Sequence, residues 1–199
     1  MTPLLALLLA LSPLDARSRP LGTTLTVEGW VSVPPATFAS FLDNDQGFVL
    51  ADPHAGLFIS TNQRLTYPLG TPLQVRGTLA DNGHGLLILR ATQIRVRREP
   101  HRQIQPRTLR FPDLNESTEG LLATVEGTLA RPPQSDLPYG HKLFLRDAAS
   151  RELQIFLPAQ LPPDPSWAPG LSLRVTGFVA QYNQTYELVP RSPRDIQPR

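Results

Sequence analysis

Apolar residues recur along this chain in short alternating blocks, and the blocks come in the same order twice. In the first set Leu25, Val27 and Val31 share one side while Thr26, Glu28 and Trp30 share the other, the period of two of a half-buried strand. Pro34-Pro35 ends that strand, because proline cannot donate to a ladder. Asn44-Asp45-Gln46-Gly47 predicts a turn into Phe48-Val49-Leu50, and Asp52-Pro53-His54-Ala55-Gly56 predicts the tight turn of a hairpin with Gly56 to Ser60. Thr61 to Leu69 has room for one short helical turn, closed by Pro68 and Gly70. A fourth strand places Leu73, Val75 and Leu79 inward and Gln74, Arg76 and Thr78 outward. After the loop Asp81-Asn82-Gly83-His84-Gly85, a fifth runs from Leu86 to Leu89 and on through Ile94-Arg95-Val96-Arg97. The second set repeats this as Val125 to Leu129, Leu143 to Asp147, Glu152 to Ile155, Leu173 to Val179 and Tyr186 to Val189, at an offset between 95 and 100 residues.

Five strands per copy, with Gly29 and Gly77 where a small barrel must bend sharply, predict a five-stranded Greek-key barrel, the oligonucleotide/oligosaccharide-binding (OB) fold. A β-sandwich needs about seven strands. The expected fold class is therefore all-β, with two tandem five-stranded OB-fold barrels. The runs Gly47-Phe48-Val49-Leu50-Ala51-Asp52, Gly56-Leu57-Phe58-Ile59 and Val75-Arg76-Gly77-Thr78-Leu79 resemble the OB-fold modules appended to secreted bacterial nucleases. The second copy carries the same resemblance in residues 143–147 and 175–188, so it covers most of residues 25–196. It implies a nucleic-acid partner. No nuclease catalytic domain accompanies the modules, so the family's enzymatic role does not carry over.

Length and composition fit this division. The 199 residues accommodate two small domains, each of roughly 90 residues and able to bury its own core. The boundaries read as an OB domain over 22–98, a basic linker over 99–119 and a second OB domain over 120–197. The 22 prolines argue against long helices. The absence of cysteine excludes a disulfide framework, a thiolate metal site and a cysteine nucleophile. Residues 1–16 carry a nearly continuous apolar stretch, Leu4 to Leu11, too short to span a bilayer core of roughly 30 Å. It reads as a secretory signal cleaved before Arg17, which makes the protein exported, periplasmic or extracellular. The alternative is a buried N-terminal segment, because Met1-Thr2-Pro3 lacks the usual positive charge.

Charge is concentrated rather than large. Net charge is only +2, yet seven arginines and a single carboxylate, Glu99, lie between Arg90 and Arg110. Arg95 and Arg97 alternate with Ile94 and Val96 and leave a strand from one side. With Arg98 they form a candidate phosphate contact, to which Arg76 and Arg174 on the two fourth strands are added. The other reading is a solvated strand end. In the second copy the alternation sends Phe144, Arg146, Gln154 and Phe156 outward on one hairpin, where OB folds stack bases at about 1–3 kcal/mol each. The matching set in the first copy is led by Phe58, with Trp30 adjacent; Tyr182 flanks a hairpin loop near the same side. Packing between the two barrels is the alternative for these aromatics.

The histidines His54, His84, His101 and His141 stand apart from each other and from carboxylates at metal-ligand spacing. No nucleophile elbow, phosphate-binding glycine loop or zinc motif is present. No metal, cofactor or enzymatic activity is expected. The expected function is non-enzymatic binding of nucleic acid, single-stranded DNA or RNA by preference. The alternative is a module that binds a partner protein, a carbohydrate or another small ligand in the cell envelope.

Overall fold

The computed structural model describes residues 9–38 and 45–199. Most of the apolar run at the N-terminus and Asn44 of the expected 44–47 turn lie outside the described residues. The chain opens with a short helix, α1 (Pro13–Arg17), capped by Ser12, whose hydroxyl accepts from the Asp15 amide at 3.1 Å.

The first barrel consists of β1 (Thr24–Val33), β2 (Phe48–Ala51), β3 (Gly56–Ser60), β4 (Pro72–Asp81) and β5 (Leu87–Val96). They close in the order β1-β2-β3-β5-β4, with β3 and β5 parallel and all other pairs antiparallel. Alternation decides the faces as the sequence indicates. Val27, Leu50, Leu57, Ile59, Val75 and Leu89 fill the interior. Gly77 is required because a side chain there would meet the Arg90 carbonyl oxygen at 2.3 Å, where β4 bulges across β5. The helical turn expected in 61–69 does not form. That link is irregular, and Leu65 and Tyr67 reach the core from it. α1 packs on this barrel instead, with Ala16 fully buried and Leu11 bridged to Val27.

The second barrel follows β6 (Arg107–Thr108). It is built from β7 (Leu122–Leu129), β8 (Gln134–Asp136), β9 (Gly140–Arg146), β10 (Glu152–Pro158), β11 (Ser172–Tyr182), β12 (Thr185–Val189) and β13 (Ile196–Pro198). Strands β7-β9-β10-β12-β11 form the ring, closed by β11 on β7; β6 and β13 lie along it and β8 pairs with β9. The two rings share register as well as order. Thr26, Val27 and Glu28 face Arg76, Val75 and Gln74 in the first, and Thr124, Val125 and Glu126 face Thr176, Val175 and Arg174 in the second. The fold is thus two tandem OB barrels. The later part of the expected linker packs into the second: Leu109, Phe111 and Leu114 are buried in its core. No helix among the described residues is long and apolar enough to cross a membrane.

A third apolar cluster joins the barrels. Val33, Phe38, Val49, Phe58 and Ile88 of the first meet Phe156, Phe178, Ala180 and Val189 of the second. Phe38 packs edge-on against Phe58 at 5.3 Å and tilted against Phe178 at 5.5 Å. Phe58 and Phe156, expected on a ligand face, are only 1 % and 4 % exposed. They do point out of their own barrels. What they meet is the other barrel, because removing such a ring from water stabilises by roughly 1.5–3 kcal/mol, more than an intermittent ligand offers a side chain left exposed.

Candidate nucleic-acid interface and an adjoining cleft

The outward side of β4 and β5 carries three exposed arginines that have no carboxylate partner among the described residues. Register places Arg76 opposite Gln93, Gln74 opposite Arg95 and Thr78 opposite Arg90. Arg76, Arg90 and Arg95 are therefore neighbours on one sheet face, and all three are exposed. None of them, nor exposed Arg98, has an ion-pair partner among the described residues. Arg97 differs: it is half-buried, pairs with Glu28 Oε2 at 2.8 Å and donates to Glu99. Trp30 borders the same face from β1. Its indole N–H donates to the Pro100 carbonyl at 3.2 Å, and the Arg102 guanidinium lies 5.3 Å from the ring centre. The linker thus occupies part of Trp30 and adds Arg102 to the basic rim.

The second barrel's hairpin presents a different picture. Phe144 is half-buried, with the Arg131 guanidinium 3.5 Å from its ring centre. Arg146 and Arg131 both bond Glu152, at 2.9 Å and 2.5 Å, and these hydrogen bonds, that of Arg146 first, hold its carboxyl below the usual range. Arg174 lies 3.9 Å from Glu126, which also takes Arg199 at 2.9 Å. These four guanidinium groups share two carboxylates, Glu152 and Glu126, so each is ion-paired, where Arg76, Arg90 and Arg95 of the first barrel's face are not among the described residues. The structure therefore brings Trp30, Arg76, Arg95 and Arg97 together on the outward side of the first barrel, with Arg98 exposed just past the end of β5. It separates them from Phe144, Arg146 and Arg174.

A cleft of about 640 Å³ lies between the barrels. Phe58, Ile88 and Phe156 form its floor, Arg90 and Ser60 stand on one wall, and Lys142, Gln154 and Glu187 on the other. Tyr182 sits at its mouth, 47 % exposed and stacked on His84 at 4.6 Å. Asp45 is held by the Ser60 hydroxyl at 2.5 Å and the Gly47 amide at 2.7 Å. Lys142 is paired with Asp136 at 2.8 Å. Glu187 is 1 % exposed: its Oε2 accepts from the Gln154 amide, while its Oε1 has no donor among the described residues. Burial raises its pKa to about 7, partly opposed by Gln154 and Lys142. Glu187 was not legible as a site residue, because alternation marks it outward without marking what covers it. Among the described residues no group of three His, Asp or Glu side chains is placed to hold a metal ion.

No family model matches the chain, and no curated protein matches it. Similar solved structures include the tetrameric p202 HIN2, at 10 % identity over 90 % of this chain and 92 % of that one, with a TM-score of 0.41. They include the Ifi202 HINa domain in complex with 20bp dsDNA, at 9 % identity over 89 % and 97 %, TM-score 0.43. A deletion mutant of the single-stranded DNA binding protein from Thermus aquaticus aligns at 14 % identity over 90 % and 95 %, TM-score 0.31. Likeness this distant assigns no ligand, and the two-barrel fold rests on the strand order and closure described above.

Proposed function

We propose that this protein binds nucleic acid without catalysing a reaction on it, prefers single strands, and acts after export. The observation that carries the reading is the cluster of exposed arginines without carboxylate partners among the described residues, Arg76, Arg90 and Arg95 on one face of the first barrel, with Arg98 just past the end of β5. A guanidinium fork matches phosphate oxygens, and the second barrel's arginines are mostly matched with carboxylates. The narrow face with Trp30 at its edge suits a flexible single strand, whose backbone can follow a short row of cations.

Titrating labelled dT12 into the whole protein at two salt concentrations tests this. With four phosphate contacts, affinity should fall roughly fiftyfold between about 50 mM and 200 mM salt. Replacing Arg76 and Arg95 together by Ala should flatten the logarithmic slope by about 1.4. No binding at micromolar protein in low salt removes the reading. Export is tested by the N-terminus of protein recovered from periplasm or medium: a chain beginning at Arg17 supports it. Such a chain gives up Ala16 and the Leu11 bridge to β1, but keeps Arg17 and its 3.0 Å contact with Glu119.

A further inference from the structure

We propose that the cleft between the barrels is a recognition pocket for one unstacked guanine of a bound single strand, with Glu187 as the group that reads it. This rests on the nucleic-acid reading above and adds base specificity to it.

The two barrels face each other across the cleft with equivalent register pairs. In the first the pair is Phe58 beside Ile88; in the second it is Gln154 beside Glu187. Packing alone would be served by apolar residues at both places, as the first barrel shows. A carboxylate at 1 % exposure with one oxygen lacking a donor is costly. Lys142 makes no hydrogen bond to this oxygen; its ammonium pairs with Asp136 at 2.8 Å. Among the described residues nothing donates to this oxygen, and the cleft that Glu187 lines is where a donor from a ligand can enter.

The lining also selects the kind of donor. The Gln154 amide nitrogen takes one lone pair of Glu187 Oε2, so the carboxylate still offers two adjacent acceptors, the second lone pair of Oε2 and Oε1, which has no donor among the described residues. An edge with two adjacent N–H donors fits such a pair. Guanine has one, in N1–H and the 2-amino group. Thymine and uracil set two carbonyls beside a lone N–H, and adenine and cytosine set an acceptor beside their amino group. Tyr182 offers a ring at the mouth, where an unstacked base finds a surface. Arg90 belongs both to the cleft wall and to the basic face, so a strand following the arginines reaches the opening. The volume, about 640 Å³, suits a nucleoside-sized group.

The test compares dT12 with the same strand carrying one central dG, at pH 8, where the Glu187 carboxyl is ionised. The unaltered protein should bind the dG strand about tenfold more tightly. Inosine in place of guanine lacks the 2-amino donor and should lose most of that gain. Glu187→Gln should abolish the difference between dG and dT. Equal affinity for the dG and dT strands in the unaltered protein overturns this proposal while leaving nucleic-acid binding standing, and does so whether or not the variant folds. A dG preference that survives Glu187→Gln in a folded variant also overturns it. Failure to bind either strand in low salt removes the nucleic-acid reading and this proposal with it.

Discussion

At the scale of single residues, phenylalanines of similar sequence context do different work. Phe58 and Phe156 are packed between the barrels beneath the cleft, while Phe144 stays half-buried under Arg131. Phe58→Ala or Phe156→Ala should each cost about 3–5 kcal/mol in urea unfolding. Phe144→Ala should cost about 1 kcal/mol, the size of a partly exposed cation–π contact. Equal losses would mean that the inter-barrel cluster is not the tight core described. Two buried acids make a second residue-scale prediction. Burial raises both Glu119 and Glu187 to about 7 from the ordinary carboxyl value of 4.5. Between those values the folded chain keeps protons that the unfolded chain releases, so stability is highest near pH 4.5 and falls as pH rises towards 7. The loss is about 3 kcal/mol for each group at most. Glu119→Gln with Glu187→Gln should flatten that slope in urea melts across the window; an unchanged slope would assign the pH dependence elsewhere.

At the scale of elements, the close points are backbone against backbone. Gly56 opens β3 and Gly120 precedes β7. A Cβ on Gly56 would lie 1.8 Å from the Gly120 carbonyl oxygen, and one on Gly120 would lie 2.1 Å from that of Gly56. Gly120 also adopts φ +87°, a region that costs an alanine about 1–2 kcal/mol by itself. Gly120→Ala should therefore destabilise by more than that strain and push the barrels apart. The check is a lowered melting temperature together with fluorescence of Trp30 and Trp167. The nearby Arg17, on α1, bonds Glu119 at 3.0 Å and Glu116 at 3.2 Å, so α1 and the linker are fastened at this same junction.

At the scale of the whole molecule, two small barrels share a third core rather than hanging on a tether. Val33, Phe38, Phe58, Phe156 and Phe178 are each at most 4 % exposed in it. Melting followed by far-ultraviolet circular dichroism and by tryptophan fluorescence should therefore trace one coincident transition. Two separated transitions would show that the shared core contributes little. The same arrangement moves the candidate interface. The faces on which an isolated OB barrel stacks bases are here turned largely inward against each other, leaving a cleft between them and a basic sheet face beside it.

What the chain alone determined is the barrel pair. Alternation of period two fixed which of Val27, Leu50, Leu57 and Val75 point inward, and a repeated block order fixed two rings with the same register. The local excess of arginine over carboxylate near residues 90–110 was also legible, because charge is counted along the sequence. Tertiary structure decided everything that depends on a second surface. Alternation says that Phe58, Phe156 and Glu187 leave their own barrel, and it is silent on whether water, ligand or another barrel receives them. Pairing is equally remote in sequence: Arg131 finds Glu152, Arg174 finds Glu126, and Arg76 and Arg95 find no carboxylate among the described residues. The physical reason is that burial and charge compensation are set by neighbours in space, and across a closed barrel those neighbours lie tens of residues apart.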